Sequence, residues 1–195
     1  ALYVVAGGGN NARAALTAIG GGADAGATIS AAAAGFANDI GLIVDQLQAA
    51  GAQHIVVWNA PNLGLAPAVV AGGGASLGSF LAGAMNGALA ARLNGEVGVS
   101  TFDLFGLGAQ LAANPGAFGL ANVTDACGAV AGADCSTYAY WDGIHPTTAA
   151  HLAIANAMFA ATVPVPEPET YALMAVGLVA VGWVARRRTT MAPVA

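Results

Sequence analysis

Short apolar runs alternate along the chain with longer stretches in which apolar residues recur at three- and four-residue steps. Uninterrupted apolar runs are typical of strands buried on both faces of a parallel sheet, and we predict such strands at residues 2–6, 54–58 and 97–102. The longer steps are those of amphipathic helices, which we predict at residues 11–19, 28–50, 76–93, 104–113 and 147–161. Strands alternating with helices predict an α/β domain whose parallel sheet has helices on both faces.

Two stretches do not fit a complete domain of this kind. Residues 114–139 show neither pattern, and we predict a long irregular loop there. The first predicted strand begins almost at residue 1, and three strands make a thin sheet. We therefore expect further strands upstream, which would make the domain incomplete at its N-terminus.

Turn-forming residues follow each predicted strand. The first strand leads into Gly7-Gly8-Gly9-Asn10-Asn11, the second into Asn59 and Pro61, and the third into Asp103. Glycine lets the backbone turn tightly, and open α/β sheets bind ligands beyond the carboxyl ends of their strands. The functional site is expected at this edge of the sheet.

The chain is apolar and, over most of its length, acidic. It is 57% hydrophobic with a mean hydropathy of +0.67, much of it due to small residues that bury little area. Residues 1–163 contain two basic residues, Arg13 and Arg92, against eight acidic ones, a net charge of −6. An acidic body without a basic patch argues against nucleic acid as a partner.

The only cysteines are Cys127 and Cys135, eight positions apart. This spacing is neither that of a zinc knuckle nor that of a redox C-x-x-C motif. We favour a local disulfide formed in an oxidising compartment, and the alternative is a pair of free thiols.

An acid and an imidazole lie three positions apart at Asp142 and His145, just before the last predicted helix of the domain. A hydrolase needs a base near neutral pH, which histidine supplies, and a carboxylate on its second nitrogen fixes the tautomer. Pro146 would start the helix, with Thr147 or Thr148 as its cap. The alternative is an exposed capping turn that contains an incidental histidine.

A metal site built from Asp142, His145 and His151 is disfavoured because the sequence offers no convincing further ligand. We predict neither a metal nor another cofactor.

The segment Trp141–Thr147 closely resembles the last motif block of the GDSL (SGNH) hydrolases, a family of esterases and lipases, and Leu2–Asn11 is similar to the third block. Ile55–Pro67 and Phe102–Phe105 resemble connecting segments of its bacterial branch, so that the resemblance covers about residues 1–162. It implies a three-layer α/β/α, flavodoxin-like fold.

The resemblance also implies roles for individual residues. His145 would be the general base and Asp142 would orient it. Asn10 would donate its amide to the oxyanion, with Gly8 allowing close backbone approach; a turn residue is the plain alternative for Asn10. Asn11 stands where the family usually has aspartate, which weakens the match.

The family's nucleophile is the serine of a Gly-Asp-Ser block near the N-terminus, and this block does not occur in the 195 residues, nor does the second block with its oxyanion glycine. The serines of the chain lack that context and none is nominated: Ser30, Ser76, Ser79, Ser100 and Ser136. The 195 residues alone are therefore expected to be inactive as an esterase.

The C-terminal region, residues 163–195, differs from the rest. We predict a proline-rich spacer at 163–169, an apolar helix at 170–185 and a basic tail at 186–195. The uncharged stretch 171–185 is shorter than the ~20 residues of an ordinary span, and flanking arginines could extend it by snorkelling. We therefore predict a transmembrane-like helix.

The order of Pro-Glu-Pro, apolar helix and arginines resembles the PEP-CTERM sorting signal of Gram-negative bacteria, with Val165–Pro168 as its closest match. It implies export to the cell envelope or surface and an exosortase-type processing enzyme as partner. A plain C-terminal membrane anchor is the alternative.

Together these features predict an exported esterase or lipase that acts on carboxylic esters through an acyl-serine intermediate. The alternative is a surface-displayed, non-catalytic carbohydrate- or matrix-binding protein on a decayed hydrolase fold.

Overall fold

Three parallel strands form the central sheet. The computed structural model describes residues 1–162 and 168–190. The strands are β1 (Tyr3–Val5), β2 (Ile55–Trp58) and β3 (Val99–Phe102), in the order β1-β2-β3. Both pairs are parallel, with Val56 opposite Val4 on one side and Ser100 on the other. The predicted parallel sheet is therefore present, and its middle strand is the second.

The helices of the first 162 residues have these bounds: α1 (Gly9–Gly20), α2 (Ala25–Ala49), α3 (Pro67–Ala71), α4 (Ala75–Leu93), α5 (Leu104–Ala113) and α6 (Thr148–Thr162). Helix α2 begins three residues before its predicted start because the carboxylate of Asp24 accepts the N–H of Ala27 at 2.7 Å and caps it. Gly51, with φ +91°, follows its last turn.

Both faces of β2 are buried, which is why its sequence is an uninterrupted apolar run. Ile55 and Val57 pack with α1, α2 and α4, whereas Val56 packs on the opposite face with residues of α5 and α6. Helices therefore cover the sheet on two sides, as an α/β fold requires.

Arg92 on α4 ties this helix to α2. Its guanidinium contacts both carboxylate oxygens of Asp45, at 2.6 and 2.7 Å, and Glu96 at 2.7 Å. The hydrogen bond with Asp45 is the main reason why the pKa of Arg92 is raised. Gly41 leaves the space for this side chain, since a Cβ there would overlap the guanidinium. One of the two arginines of residues 1–162 is thus ion-paired with two carboxylates.

The prediction of an irregular loop at residues 114–139 is wrong. Strands β4 (Asn122–Ala126) and β5 (Tyr138–Tyr140) form a separate parallel pair with a register shift. Strands of three to five residues are too short for an alternation of apolar and polar positions to be recognised. Their pairing depends on contacts that are distant in sequence. The predicted disulfide between Cys127 and Cys135 is confirmed, with 5.6 Å between the Cα atoms, and it links the segments that follow β4 and precede β5.

The chain divides into two compact units, residues 1–159 and 160–195. The second contains helix α7 (Pro168–Thr190), which differs from the prediction at both ends. It includes the last residues assigned to the spacer because proline is favourable at a first helical position, and it continues through the arginines because they are good helix formers. Of the predicted spacer and basic tail, residues 163–167 and 191–195 lie outside the described residues.

The predicted C-terminal membrane span is not confirmed. Within the ranges that the structure describes, only α2 is long and apolar enough to cross a membrane, and its apolar face, which includes Phe36 and Val44, lies in the core. The apolar part of α7, Leu173–Arg186, is shorter than that, and its apolar side chains are exposed.

Gly8 connects β1 to α1 in a conformation that other residues rarely adopt. Its φ is +96°, and a Cβ there would lie 2.6 Å from a ring carbon of Phe36, which is buried on α2. Glycine is therefore required at this position both by the backbone and by packing.

We expect Gly8→Ala to lower the free energy of unfolding by roughly 2–5 kcal/mol, the sum of a left-handed alanine and an overpacked contact. The matched control is Gly22→Ala, where φ is also +96° but no atom lies within 4 Å of the added methyl, so only about 1–2 kcal/mol should be lost. Urea denaturation measures both. Equal losses in the two variants would show that the Phe36 contact is unimportant.

Candidate active site

Asp142 organises the turn that precedes α6. Its Oδ1 accepts the backbone N–H groups of Ile144 at 2.8 Å and His145 at 2.7 Å, and its Oδ2 lies 2.7 Å from Nδ1 of the His145 ring. An aspartate that accepts from residues two and three positions ahead forms a local turn. The two residues singled out in the sequence are therefore in direct contact.

Three backbone hydrogen bonds hold this turn in place. The carbonyl oxygen of Trp141 accepts from Gly128 at 2.8 Å, that of His145 accepts from Trp141 at 2.8 Å, and that of Gly143 accepts from Ala68 at 3.0 Å. The first of these bonds comes from the segment that the disulfide closes, and the third comes from α3. The turn is thus fixed from two separate parts of the domain.

Thr147 is the cap of α6. It is buried, its hydroxyl donates to the carbonyl oxygen of Tyr138, and its Oγ1 accepts the N–H of Ala150 at 3.1 Å. Of the two threonines considered, Thr147 therefore satisfies the first turn of the helix. It also links that turn to β5, immediately before the residues of the site.

The hydrogen bond to His145 is the main reason why the pKa of Asp142 falls from 3.8 to about 2, and the two backbone N–H donors add to it. Asp142 is therefore ionised at neutral pH and can only accept hydrogen bonds. A neutral His145 ring must then carry its proton on Nδ1, which leaves the lone pair of Nε2 free to take a proton. The side chain of His145 is 71% exposed, so that a substrate can reach it.

A cavity of about 890 Å³ connects this turn to α1. His145 and Tyr140 line one part of it, and Gly8 and Asn10 line another. The remaining wall is largely aliphatic and is made by Leu16, Ile19, Leu63, Val69 and Leu77. His145 from one end of the domain and Gly8 and Asn10 from the other thus line one cavity.

The N-terminus of α1 lies at this cavity. Asn10 is exposed, and Gly8, Gly9 and Asn11 line the same space. Backbone N–H groups in the first turn of a helix have no partner within the helix and carry a partial positive charge. This end of α1 offers both an amide side chain and backbone donors for an oxygen that becomes negatively charged.

No serine lines the cavity among the described residues. Ser79 does not line the cavity, and its hydroxyl donates to Oδ1 of the lining residue Asn62 at 2.7 Å. Both cysteines are in the disulfide. The described lining of the cavity thus includes the imidazole of His145 and the amide of Asn10 but no serine or cysteine, and its hydroxyl groups are those of Thr17 and Tyr140.

His151 does not share this cavity. It lines a separate space of about 380 Å³ with Trp141 and Ser136. Over residues 1–162 and 168–190, no three histidine, cysteine or acidic side chains form a group that could hold a metal ion.

Three residues of the site were not identified from the sequence. Ala68 acts through its backbone N–H, which leaves no trace in a sequence. Arg13 lines the cavity, and a signal for it existed, since it follows Asn10 by three positions, one helical turn. Tyr140 is a third lining residue, and burial raises the pKa of its hydroxyl.

Comparison with known families gives two matches. The GDSL-like lipase/acylhydrolase family model matches residues 1–158, and the PEP-CTERM protein-sorting motif matches residues 164–188. No curated protein matches the chain. The two matches cover the two regions for which the sequence predicts these resemblances.

We expect the pKa of Asp142 to rise from about 2 towards the ordinary carboxyl value in His145→Ala, because its main stabilising hydrogen bond is lost. It should stay below that value, since the two backbone donors remain. NMR titration of carboxyl ¹³C shifts measures this change. In the wild type, the stability that ionised Asp142 contributes should be fully present at pH values above the ordinary aspartate pKa of 3.8. It should be lost as the pH falls through the folded-state pKa of about 2.

Asp134 is the internal control, because its pKa is lowered by the backbone N–H of Ser136 and not by a histidine. Its titration should be the same in both proteins. An unchanged Asp142 in the variant would contradict the hydrogen bond to the ring.

Proposed function

Because the chain belongs to the GDSL-like lipase/acylhydrolase family, we propose that it hydrolyses carboxylic esters with His145 as general base. The observation that carries this proposal is the contact of 2.7 Å between Asp142 and His145 at the cavity that Asn10 also lines. An exposed capping turn would account for the bonds of Oδ1. It would not account for a carboxylate oxygen directed at the ring nitrogen.

In the proposed reaction, Nε2 of His145 takes the proton of a serine hydroxyl as the serine oxygen attacks the ester carbonyl. The negative charge on the former carbonyl oxygen is stabilised by the amide of Asn10 and by N–H groups at the start of α1. The imidazolium then protonates the leaving alcohol, and an acyl-serine remains. Water, deprotonated by the same imidazole, releases the acid and restores the serine. Asp142 stabilises the imidazolium in both steps.

We place the nucleophile in a Gly-Asp-Ser segment outside the 195 residues. Two observations support this: no serine of the described residues lines the cavity, and no serine of the chain has the Gly-Asp-Ser context. An upstream reading frame that encodes Gly-Asp-Ser would support catalysis. Its absence would favour the non-catalytic binding protein, since the same cavity could hold a ligand without turning it over.

The sorting motif indicates export to the envelope of a Gram-negative cell. We propose that residues 1–162 form the hydrolase domain and that residues 163–195 are the segment recognised by an exosortase-type enzyme, with α7 entering the membrane during sorting. The disulfide between Cys127 and Cys135 supports this location because such bonds persist in oxidising compartments.

In protein that includes the Gly-Asp-Ser segment, we expect His145→Ala to lower kcat/KM for p-nitrophenyl esters by about 10³-fold or more, because the base is lost. His151→Ala is the matched control, a histidine that lines the other cavity, and should retain most of the activity. The absorbance of released p-nitrophenolate measures both rates. An unchanged rate in His145→Ala would remove His145 from the mechanism, and hydrolysis by the 195 residues alone would place the nucleophile within them.

We also expect longer acyl chains to be preferred over acetate, since the aliphatic wall can bury them. Each buried methylene should raise kcat/KM by about fourfold until the cavity is full. Val69→Thr keeps the shape of a wall residue while adding a hydroxyl, and should weaken the preference. Val70→Thr is the control, because Val70 is exposed and does not line the cavity. A series of p-nitrophenyl esters from acetate to octanoate tests this, and equal rates along the series would contradict it.

A further inference from the structure

The cavity has a charge opposite to that of the domain around it. Residues 1–162 contain eight carboxylates, yet no carboxylate side chain is among the described residues that line the cavity. Arg13, one of only two basic side chains in these residues, does line it. The other, Arg92, is held by Asp45 and Glu96.

Arg13 is placed to act on whatever occupies the cavity. It lies three positions after Asn10 on α1, and side chains at this spacing share one face of a helix. It is exposed, and its side chain makes no hydrogen bond or ion pair with any other described residue. Its guanidinium is therefore free to bind an anion one helical turn from the proposed oxyanion donor.

We propose that Arg13 makes this site selective for esters that carry an anionic group, a carboxylate or a phosphate, close to the scissile bond. This inference rests on the proposed function, because it assigns the substrate class of the same cavity. The aliphatic wall would hold the acyl chain, and the guanidinium would bind the anion through paired N–H donors. The substrate is thus an amphiphile with one apolar chain and one negative charge.

Binding to the 195-residue chain tests this directly, because its cavity has no serine among the described residues and ligands can be measured without turnover. Two pairs of probes separate the sources of the anion. 3-(Hexanoyloxy)propanoate is compared with its neutral counterpart, methyl 3-(hexanoyloxy)propanoate, and 1-hexanoylglycerol 3-phosphate is compared with 1-hexanoylglycerol. Isothermal titration calorimetry gives the ratio of the Kd values within each pair.

In the wild-type chain, the anionic member of at least one pair should bind about 3- to 30-fold more tightly than its neutral partner, the range for a partly exposed charged hydrogen bond. Arg13→Gln should abolish this ratio, and Arg13→Lys should restore part of it. Raising the salt concentration should reduce the ratio by screening. The pair that responds identifies the anion as a carboxylate or a phosphate.

Arg92→Gln is the matched control, since it removes the same charge from an ion-paired position that does not line the cavity. It should keep the wild-type ratio, and circular dichroism checks that each variant is folded. Equal binding within both pairs in the wild type, a ratio that survives Arg13→Gln, or no binding of any probe would overturn the proposal. Failure of the proposed function would appear instead as His145-independent hydrolysis, which this measurement does not involve.

Discussion

The carboxylate of Asp142 determines both the shape of the turn and the state of the ring beside it. Oδ1 accepts two consecutive backbone N–H groups, which sets the path of the chain to His145, and Oδ2 accepts from the ring itself. Because one rigid group makes all three bonds, the position of the imidazole is coupled to the backbone conformation that presents it. The low pKa of Asp142 follows from the same contacts, so the arrangement persists at any pH at which an esterase would work.

This turn is exposed, and it is therefore positioned by backbone bonds and close contacts instead of burial. A glycine makes a close contact at both points of support. A Cβ at Gly143 would lie 2.8 Å from that of Ala68, and one at Gly128 would lie 3.0 Å from the carbonyl oxygen of Trp141. Side chains at these positions would push the turn away from α3 and from the disulfide-closed segment. Access for substrate and a fixed geometry are thus obtained together.

The sequence predicted what depends on local pattern. Buried strands such as Ile55–Trp58 read as apolar runs, and Leu104–Ala113 has the bounds that were predicted because Asp103 caps it. What depends on distant contacts was not predicted. The pairing of β4 with β5 is an example, because neither strand has a period long enough to recognise.

In the site, too, the residues with local contacts could be predicted and those with distant contacts could not. Asp142 and His145 could be identified because their contact is local, three positions apart. The second reason for glycine at position 8 is the ring of Phe36, 28 positions away, and it appears only in the folded chain. Arg13 gained significance only once the cavity showed which charges line it.

The disulfide connects the geometry of the site to the location of the protein. The loop that it closes donates the N–H of Gly128 to the carbonyl oxygen of Trp141, the residue just before Asp142. In a reducing cytoplasm these cysteines would remain thiols, and this support of the turn would lack its covalent link. The sorting motif supports export to the cell envelope, where the bond can form and persist. The compartment to which the chain is sent is therefore the one in which the candidate base is most firmly held.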